Sequence, residues 1–143
     1  MWTYEGKEIT CIEDFPKDCF GFIYLMTHES GKKYIGRKQL QSIRKVKIGK
    51  REKEKTKTRK TYKQVIKESN WQDYFSSNDF LKEEANEENC KRVILKFCFN
   101  KSQMSYFEAK YLFTYEALEK EEYLNSNIDG RYYGAKLNLE ETS

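Results

Sequence analysis

The sequence predicts an α+β domain: a small, mostly antiparallel, three-stranded central sheet flanked by helices. Three observations lead there. Two short runs rich in aromatic and β-branched residues, 20–26 and 33–37, sit close together with a polar turn between them. A longer apolar run spans 91–99. Directly after it, apolar residues recur every three or four positions, the period of an amphipathic helix.

The elements follow in order. Phe20-Gly21-Phe22-Ile23-Tyr24-Leu25-Met26 reads as a buried strand, and Lys33-Tyr34-Ile35-Gly36-Arg37 as its hairpin partner. Folding the pair around Glu29 sets Tyr24 opposite Tyr34, Phe22 opposite Gly36 and Ile23 against Ile35. Gly36, with no side chain, then leaves room for a ligand or a second backbone. Residues 39–46 start a helix carrying Leu40, Ile43 and Arg44, and Gly49 breaks it. Asn78 is an N-cap for a short helix over 79–86. The run at 91–99 has apolar residues on both faces, which suggests a central strand. Ser102 caps a long helix over 103–121, striped by Met104, Phe107, Tyr111, Tyr115 and Leu118. Asp129-Gly130 is a turn signal, and residues 140–143 form a frayed polar tail.

The 143 residues predict a single domain, 1–143, and 22 aromatic side chains exclude a disordered chain. Lysine and arginine total 27 against 23 aspartates and glutamates, a net charge of +4. That near-neutrality hides an asymmetry. Residues 32–67 hold 16 basic and 2 acidic residues, whereas the other 107 hold 11 and 21. A basic insertion at about 44–67 on an acidic body points to a polyanionic partner at one face. No window is long and apolar enough to span a membrane, and the N-terminus lacks a signal-peptide pattern. The four cysteines, at 11, 19, 90 and 98, form no CxxC pair and have no histidine nearby. They read as reduced thiols of a cytoplasmic chain, with Cys90 and Cys98 packing at the ends of a strand.

The single histidine narrows the chemistry. His28 sits in a polar turn and reads as solvated, which argues against Ser-His-Asp and Cys-His catalysis. A proton acceptor would have to be tyrosine, lysine or a carboxylate. Glu108 stands out because it shares the helix side of Met104, Tyr111, Leu112 and Tyr115. A buried carboxylate costs several kcal/mol, as an order of magnitude, unless paired or bound to a metal. A capping box with Ser105, or snorkelling, is the structural alternative.

The paired segments Phe22-Ile23-Tyr24 and Tyr34-Ile35-Gly36 resemble the two halves of the GIY-YIG nuclease signature, ten residues from tyrosine to tyrosine. The first half departs from it, with its glycine one place early at Gly21. Arg44 follows Tyr34 by ten residues, Glu108 lies on a later helix, and Asn125 and Asn127 come 17 and 19 residues after it. These positions match the family's arginine, metal-binding glutamate and asparagine. Lys32-Lys33-Tyr34-Ile35-Gly36-Arg37-Lys38, Trp71-x-x-Tyr74 with Ser76-Ser77, and Tyr106-Phe107-Glu108-Ala109-Lys110 are most similar to small phage-encoded members related to homing endonucleases.

The resemblance implies a metal-dependent DNA endonuclease. Tyr24, Tyr34, Arg44, Glu108 and Asn125 would be catalytic, with Glu108 holding Mg²⁺ or Mn²⁺. Tyr34 would be the general base and Tyr24 would orient the water, while Arg37 could share or replace the role of Arg44. A tyrosine near its ordinary pKa of about 10 is a poor base at neutral pH unless a cation lowers it. Arg37, Lys38, Lys45, Lys47, Lys50, Arg51, Lys53, Lys55, Lys57, Arg59, Lys60 and Trp71 are the candidate nucleic-acid contacts. Double-stranded DNA is the expected partner, with a homodimer or a nicking monomer, in the cytoplasm (the host's, if the chain is phage-encoded).

Three other classes compete, one of them a host-protein inhibitor or structural phage component, which an absence of nucleic-acid affinity at low salt would favour. A non-catalytic DNA- or RNA-binding module on the same scaffold would explain the basic insertion equally well. Glu108-Ala109-Lys110 also carries the letters of an E-x-K nuclease, but at i and i+2 on a helix those side chains point apart.

Overall fold

A computed structural model describes residues 1–57, 59 and 62–137; side chains at 42–46, 52, 56 and 63–65 lie outside that description. In chain order the elements are β1 (Trp2–Tyr4), β2 (Lys7–Ile9), β3 (Gly21–His28), β4 (Lys33–Gln39) and β5 (Gln41–Lys47). Then follow α1 (Lys50–Thr56), β6 (Tyr62–Glu68), α2 (Asp79–Glu84), β7 (Cys90–Cys98) and α3 (Lys101–Thr114). β8 (Asn127–Ile128), β9 (Tyr132–Tyr133) and α4 (Gly134–Leu137) complete the set.

The α+β class holds, with five strands in the main sheet where three were expected, in the order β2-β1-β7-β3-β4. β7 is central as predicted, antiparallel to β3 and parallel to β1. The two added strands are three residues each and mixed in polarity, so neither produces a run that periodicity can detect. They earn their place through Trp2, which is 1% exposed and packs edge-on against Phe22 and Tyr24.

Both faces of the sheet are covered. One core gathers Trp2, Phe15, Phe22, Tyr24, Trp71 and Leu81; the other sets Ile23, Ile35 and Cys98 against Met104 and Leu112 of α3. That double burial explains why β3 reads as an uninterrupted apolar run. Cys90 and Cys98 are buried at the ends of β7, and all four cysteines are free thiols.

The β3–β4 register differs from the expected one by two residues. Tyr24 pairs with Gly36, Leu25 with Ile35 and Met26 with Tyr34. The turn centres on Ser30 rather than Glu29, because Gly31 supplies the left-handed position (φ +92°) of a three-residue loop. The His28 amide donates to the Lys32 carbonyl and the Gly31 amide to that of His28. His28 is not solvated: its ring is buried, edge-on to Phe80, with Nδ1 2.8 Å from the Ser30 hydroxyl.

Residues 39–46 form no helix. Gln41–Lys47 is strand, paired antiparallel with Tyr62–Glu68 in a separate two-stranded ribbon. The β-branched residues Ile43 and Val46 of one strand and Val65 and Ile66 of the other favour extended backbone, and Ile43 stands opposite Ile66 in the ribbon. Gly49 is the N-cap of α1, which sits at the ribbon's tip. The arm closes at its base, where the Ser69 amide donates to the Leu40 carbonyl at 2.8 Å and the Ser69 hydroxyl to that of Gln39 at 2.5 Å.

Asn78 caps α2 as expected, accepting from the Leu81 amide. Helix α3 is shorter than predicted. Asn100, not Ser102, is its N-cap, and Glu116 in the left-handed region (φ +53°) follows its end. Among the described residues no helix is long and apolar enough to cross a membrane.

Candidate active site

β4 is the edge strand, so residues from both faces of the sheet meet along its outer side. The first half of that edge is blocked. The Lys33 amide donates to the Glu122 carbonyl, and the Leu124 amide to that of Lys33. The Asn125 side chain then completes the pattern: its Oδ1 accepts from the Ile35 amide at 3.0 Å and its Nδ2 donates to the Ile35 carbonyl at 2.7 Å. Beyond Ile35 the edge opens into a cleft of about 360 Å³, whose walls include Tyr34, Arg37, Glu108, Asn125 and Asp129.

Tyr24 reaches the same neighbourhood from inside. A Cβ at Gly36 would lie 2.6 Å from its Cζ and 3.0 Å from Cε1 of Tyr34. The glycine therefore makes room for the tyrosine pair itself, not for a ligand as its bareness suggested. On its other side Tyr24 adjoins a register irregularity in the β3–β7 pairing, where Ile23 faces Lys96 and Tyr24 faces Ile94. Such bulges re-aim side chains. The rings of Tyr24 and Tyr34 stand 6.3 Å apart, and Tyr74 meets Tyr24 edge-on at 5.9 Å.

Tyr74 and its neighbours Ser76 and Ser77 come from the loop before α2. Arg92, 2% exposed, holds that loop: its Nη1 donates to the carbonyls of Gln72 and Tyr74, at 2.8 and 3.0 Å, and its guanidinium lies 4.2 Å from the Phe75 ring. Nη2 pairs with Glu87. In the sequence this loop shows only as Trp71-x-x-Tyr74 with Ser76-Ser77, because its role depends on an anchor that enters from β7.

The electrostatics divide the two phenols. Burial pushes Tyr24 well above the ordinary tyrosine value; the Tyr74 and Tyr34 phenols add to this, while the Ser76 hydroxyl opposes it. Tyr34 is raised less: burial dominates, Glu108 and Tyr74 add, and the Ser77 hydroxyl opposes. Glu108 is raised by burial and by the negative charge of Asp129, and held down by Arg37. Arg37 itself is exposed and donates from Nη1 to the Ser105 hydroxyl at 2.7 Å, one helical turn before Glu108.

A family model described as "Putative endonuclease segE, GIY-YIG domain" matches residues 2–128. The chain belongs to the GIY-YIG family. No curated protein and no solved structure matches it. GIY-YIG domains are nuclease domains, which makes DNA the substrate class, and such nucleases generally use divalent metals.

Of the residues picked out for a GIY-YIG site, Tyr34, Arg37, Glu108 and Asn125 line one cleft, with Tyr24 packed behind. Asp129, read in sequence only as part of a turn, joins them. Arg44 has its backbone in β5, opposite Val65, and its side chain lies outside the described residues, as does that of Lys45. Lys60 lies outside them altogether. Lys47, Lys50, Arg51, Lys55, Lys57 and Arg59 are exposed on the arm, with Lys53 half-buried. Trp71 is a correction. It is fully buried, its indole N–H donating to Glu68 Oε1 at 2.7 Å and its carbonyl accepting from Trp2, so it presents no face to nucleic acid.

The donor chemistry of the cleft fits a hard divalent cation. Among the described residues no three histidine, cysteine or acidic side chains cluster. Mg²⁺ nevertheless needs only one or two carboxylates, with waters and a phosphate oxygen for the rest. Glu108, with Asp129 on the same walls, supplies that kind of set.

Proposed function

We propose that the protein is a metal-dependent DNA endonuclease that hydrolyses a phosphodiester bond at the β4 edge. The observation that carries this is the meeting of Tyr34, Arg37 and Glu108 in one open cleft of a GIY-YIG domain. Glu108 would hold Mg²⁺ or Mn²⁺, with Asp129 beside it. The bound ion would supply Lewis-acid stabilisation of charge on the phosphate.

The chain's own groups divide the remaining work. Tyr34, the less buried phenol, takes the proton of the attacking water. Tyr24, buried and pushed well above the ordinary tyrosine value, stays protonated and donates, fixing the water's orientation. Arg37 neutralises charge that develops on the phosphate, with Arg44 expected as a second cation from the arm. Asn125 spends both polar atoms on the Ile35 backbone, so it positions the strand carrying Tyr34 instead of touching the reacting atoms. The basic arm grips the DNA backbone, and a duplex is the natural substrate for so long a ribbon. One catalytic cleft among the described residues means a nick from a monomer or a double-strand break from two copies. Four free thiols suit a reducing cytoplasm.

The test is plasmid nicking with Mg²⁺ or Mn²⁺, its loss in chelator, and its loss in Glu108→Ala with DNA binding retained. Protein that binds plasmid but never cuts it with any divalent metal overturns the proposal and leaves a non-catalytic binding module.

A further inference from the structure

A second cleft, of about 530 Å³, lies on the other side of Arg37. The Arg37–Ser105 hydrogen bond forms the ridge between the two, since Arg37 lines both and Ser105 lines this one. Their chemistry is opposite. The first cleft holds Glu108 and Asp129; the second holds Arg37, Lys38 and Lys101, and among its described lining residues there is no acid. Neutral hydrogen-bonding groups, Gln39, Gln41 and Ser69, complete its rim over a Met104 floor.

We propose that this second cleft is a subsite for the phosphodiester backbone next to the scissile bond, with Arg37 on the ridge between the cut phosphate and the seated one. The reading rests on the nuclease assignment of the first cleft. It selects backbone over base for a specific reason. Of the two aromatic rings lining the cleft, Phe20 is half-buried against the core that holds Ile23 and Met104, and Tyr74 already carries the Lys38 ammonium 4.2 Å above its face, so a base finds little open ring to stack on. Lys38 is half-buried there, and burial lowers its pKa, a penalty that an adjoining anion relieves. Lys101, at the first turn of α3, is exposed and free to meet a phosphate from the opposite wall. Lys38 and Lys101 thus approach one strand from two elements, β4 and α3, and fix its direction past Arg37.

The experiment uses the full chain and a short fluorescent duplex, titrated with salt in chelator so that no cutting occurs. Each lost phosphate contact lowers the slope of log affinity against log salt by about one. Lys101→Ala is expected to show that drop, and Lys38→Ala with Lys101→Ala about twice as much. Lys120→Ala, exposed and lining neither cleft, is expected to leave the slope unchanged. In Mn²⁺, Lys101→Ala should raise KM more than it lowers kcat, as expected for binding shared by ground and transition states. An unchanged slope in Lys101→Ala overturns the subsite even where wild-type cutting is normal. Wild-type protein that binds but does not cut overturns the nuclease reading alone, because the slope still reports on the second cleft. A wild type that binds no duplex overturns both.

Discussion

Tyr24 stands directly opposite Gly36 in the β3–β4 ladder, and its phenol fills the space that any side chain at 36 would need. Gly36→Ala must therefore displace a fully packed ring. The expected cost is about 1–3 kcal/mol of stability, as for other overpacked cores. Cleavage is expected to fall by about 10²-fold, the usual penalty for an ångström of misplacement. Urea denaturation and plasmid nicking of the same preparation check both. A variant of wild-type activity would mean that Tyr24 does not orient the water.

The two tyrosines should separate in pH dependence. With Tyr34 as base, cleavage climbs with pH through neutrality, because burial lifts Tyr34 above the ordinary phenol range and more phenolate forms at each step. Tyr34→Phe should lose about 10²–10⁴-fold and flatten the climb. Ser77→Ala removes the hydroxyl that opposes the burial effect, so its climb should shift to higher pH. A Tyr34→Phe profile parallel to wild type would place the base elsewhere.

Glu108 exchanges stability for chemistry. Its folded-state pKa lies above the usual 4.5, so the folded protein holds that proton more tightly than the unfolded chain. The contribution is fully present below the ordinary glutamate range and is lost as pH rises through the raised folded value. Metal-free Glu108→Gln at neutral pH should accordingly melt roughly a few degrees above wild type while cutting at background level. Mg²⁺ should raise the melting temperature of wild type but not of this variant. Calorimetry with and without the ion decides it.

The arm should be separable from the body. Residues 42–67 hold 12 of the 27 lysines and arginines, and the chain enters and leaves the arm through the hydrogen-bonded pair Leu40 and Ser69. Replacing 42–67 with a short Gly-Ser linker is expected to preserve the fold by circular dichroism. It should weaken duplex binding and reduce its salt slope by several units. Loss of folding in this variant would show that the arm supports the core.

What was legible from sequence follows physical lines. β3 and β7 announced themselves because burial on both faces writes apolar runs, β4 because Tyr34-Ile35-Gly36 follows directly on a polar turn, and Glu108 because it broke a helical stripe. β1 and β2 are too short to show a period, and β5 and β6 hide their β-branched residues among lysines. The hairpin register was displaced by two because it depends on which residue takes the left-handed position, and Gly31 takes it. At the site, Tyr24, Tyr34, Glu108 and Asn125 could be named through spacing and resemblance. Tyr74, Ser77 and Asp129 could not, since each is delivered by a loop whose path is set by distant anchors such as Arg92. Trp71 misled for a related reason: aromatic residues beside a basic segment look like stacking platforms, and only packing reveals which are core.

The edge-strand cleft draws its walls from widely separated parts of the chain: Tyr34 and Arg37 early, Glu108 on α3, and Asn125 and Asp129 near its end. The lysine-rich arm lies between them. During synthesis, which proceeds from the N-terminus, the cations emerge before either carboxylate. On the proposed mechanism, the groups that grip DNA are thus made before the acids that would hold the metal. An interrupted translation product would carry the charge to cling to DNA without the acids to cut it.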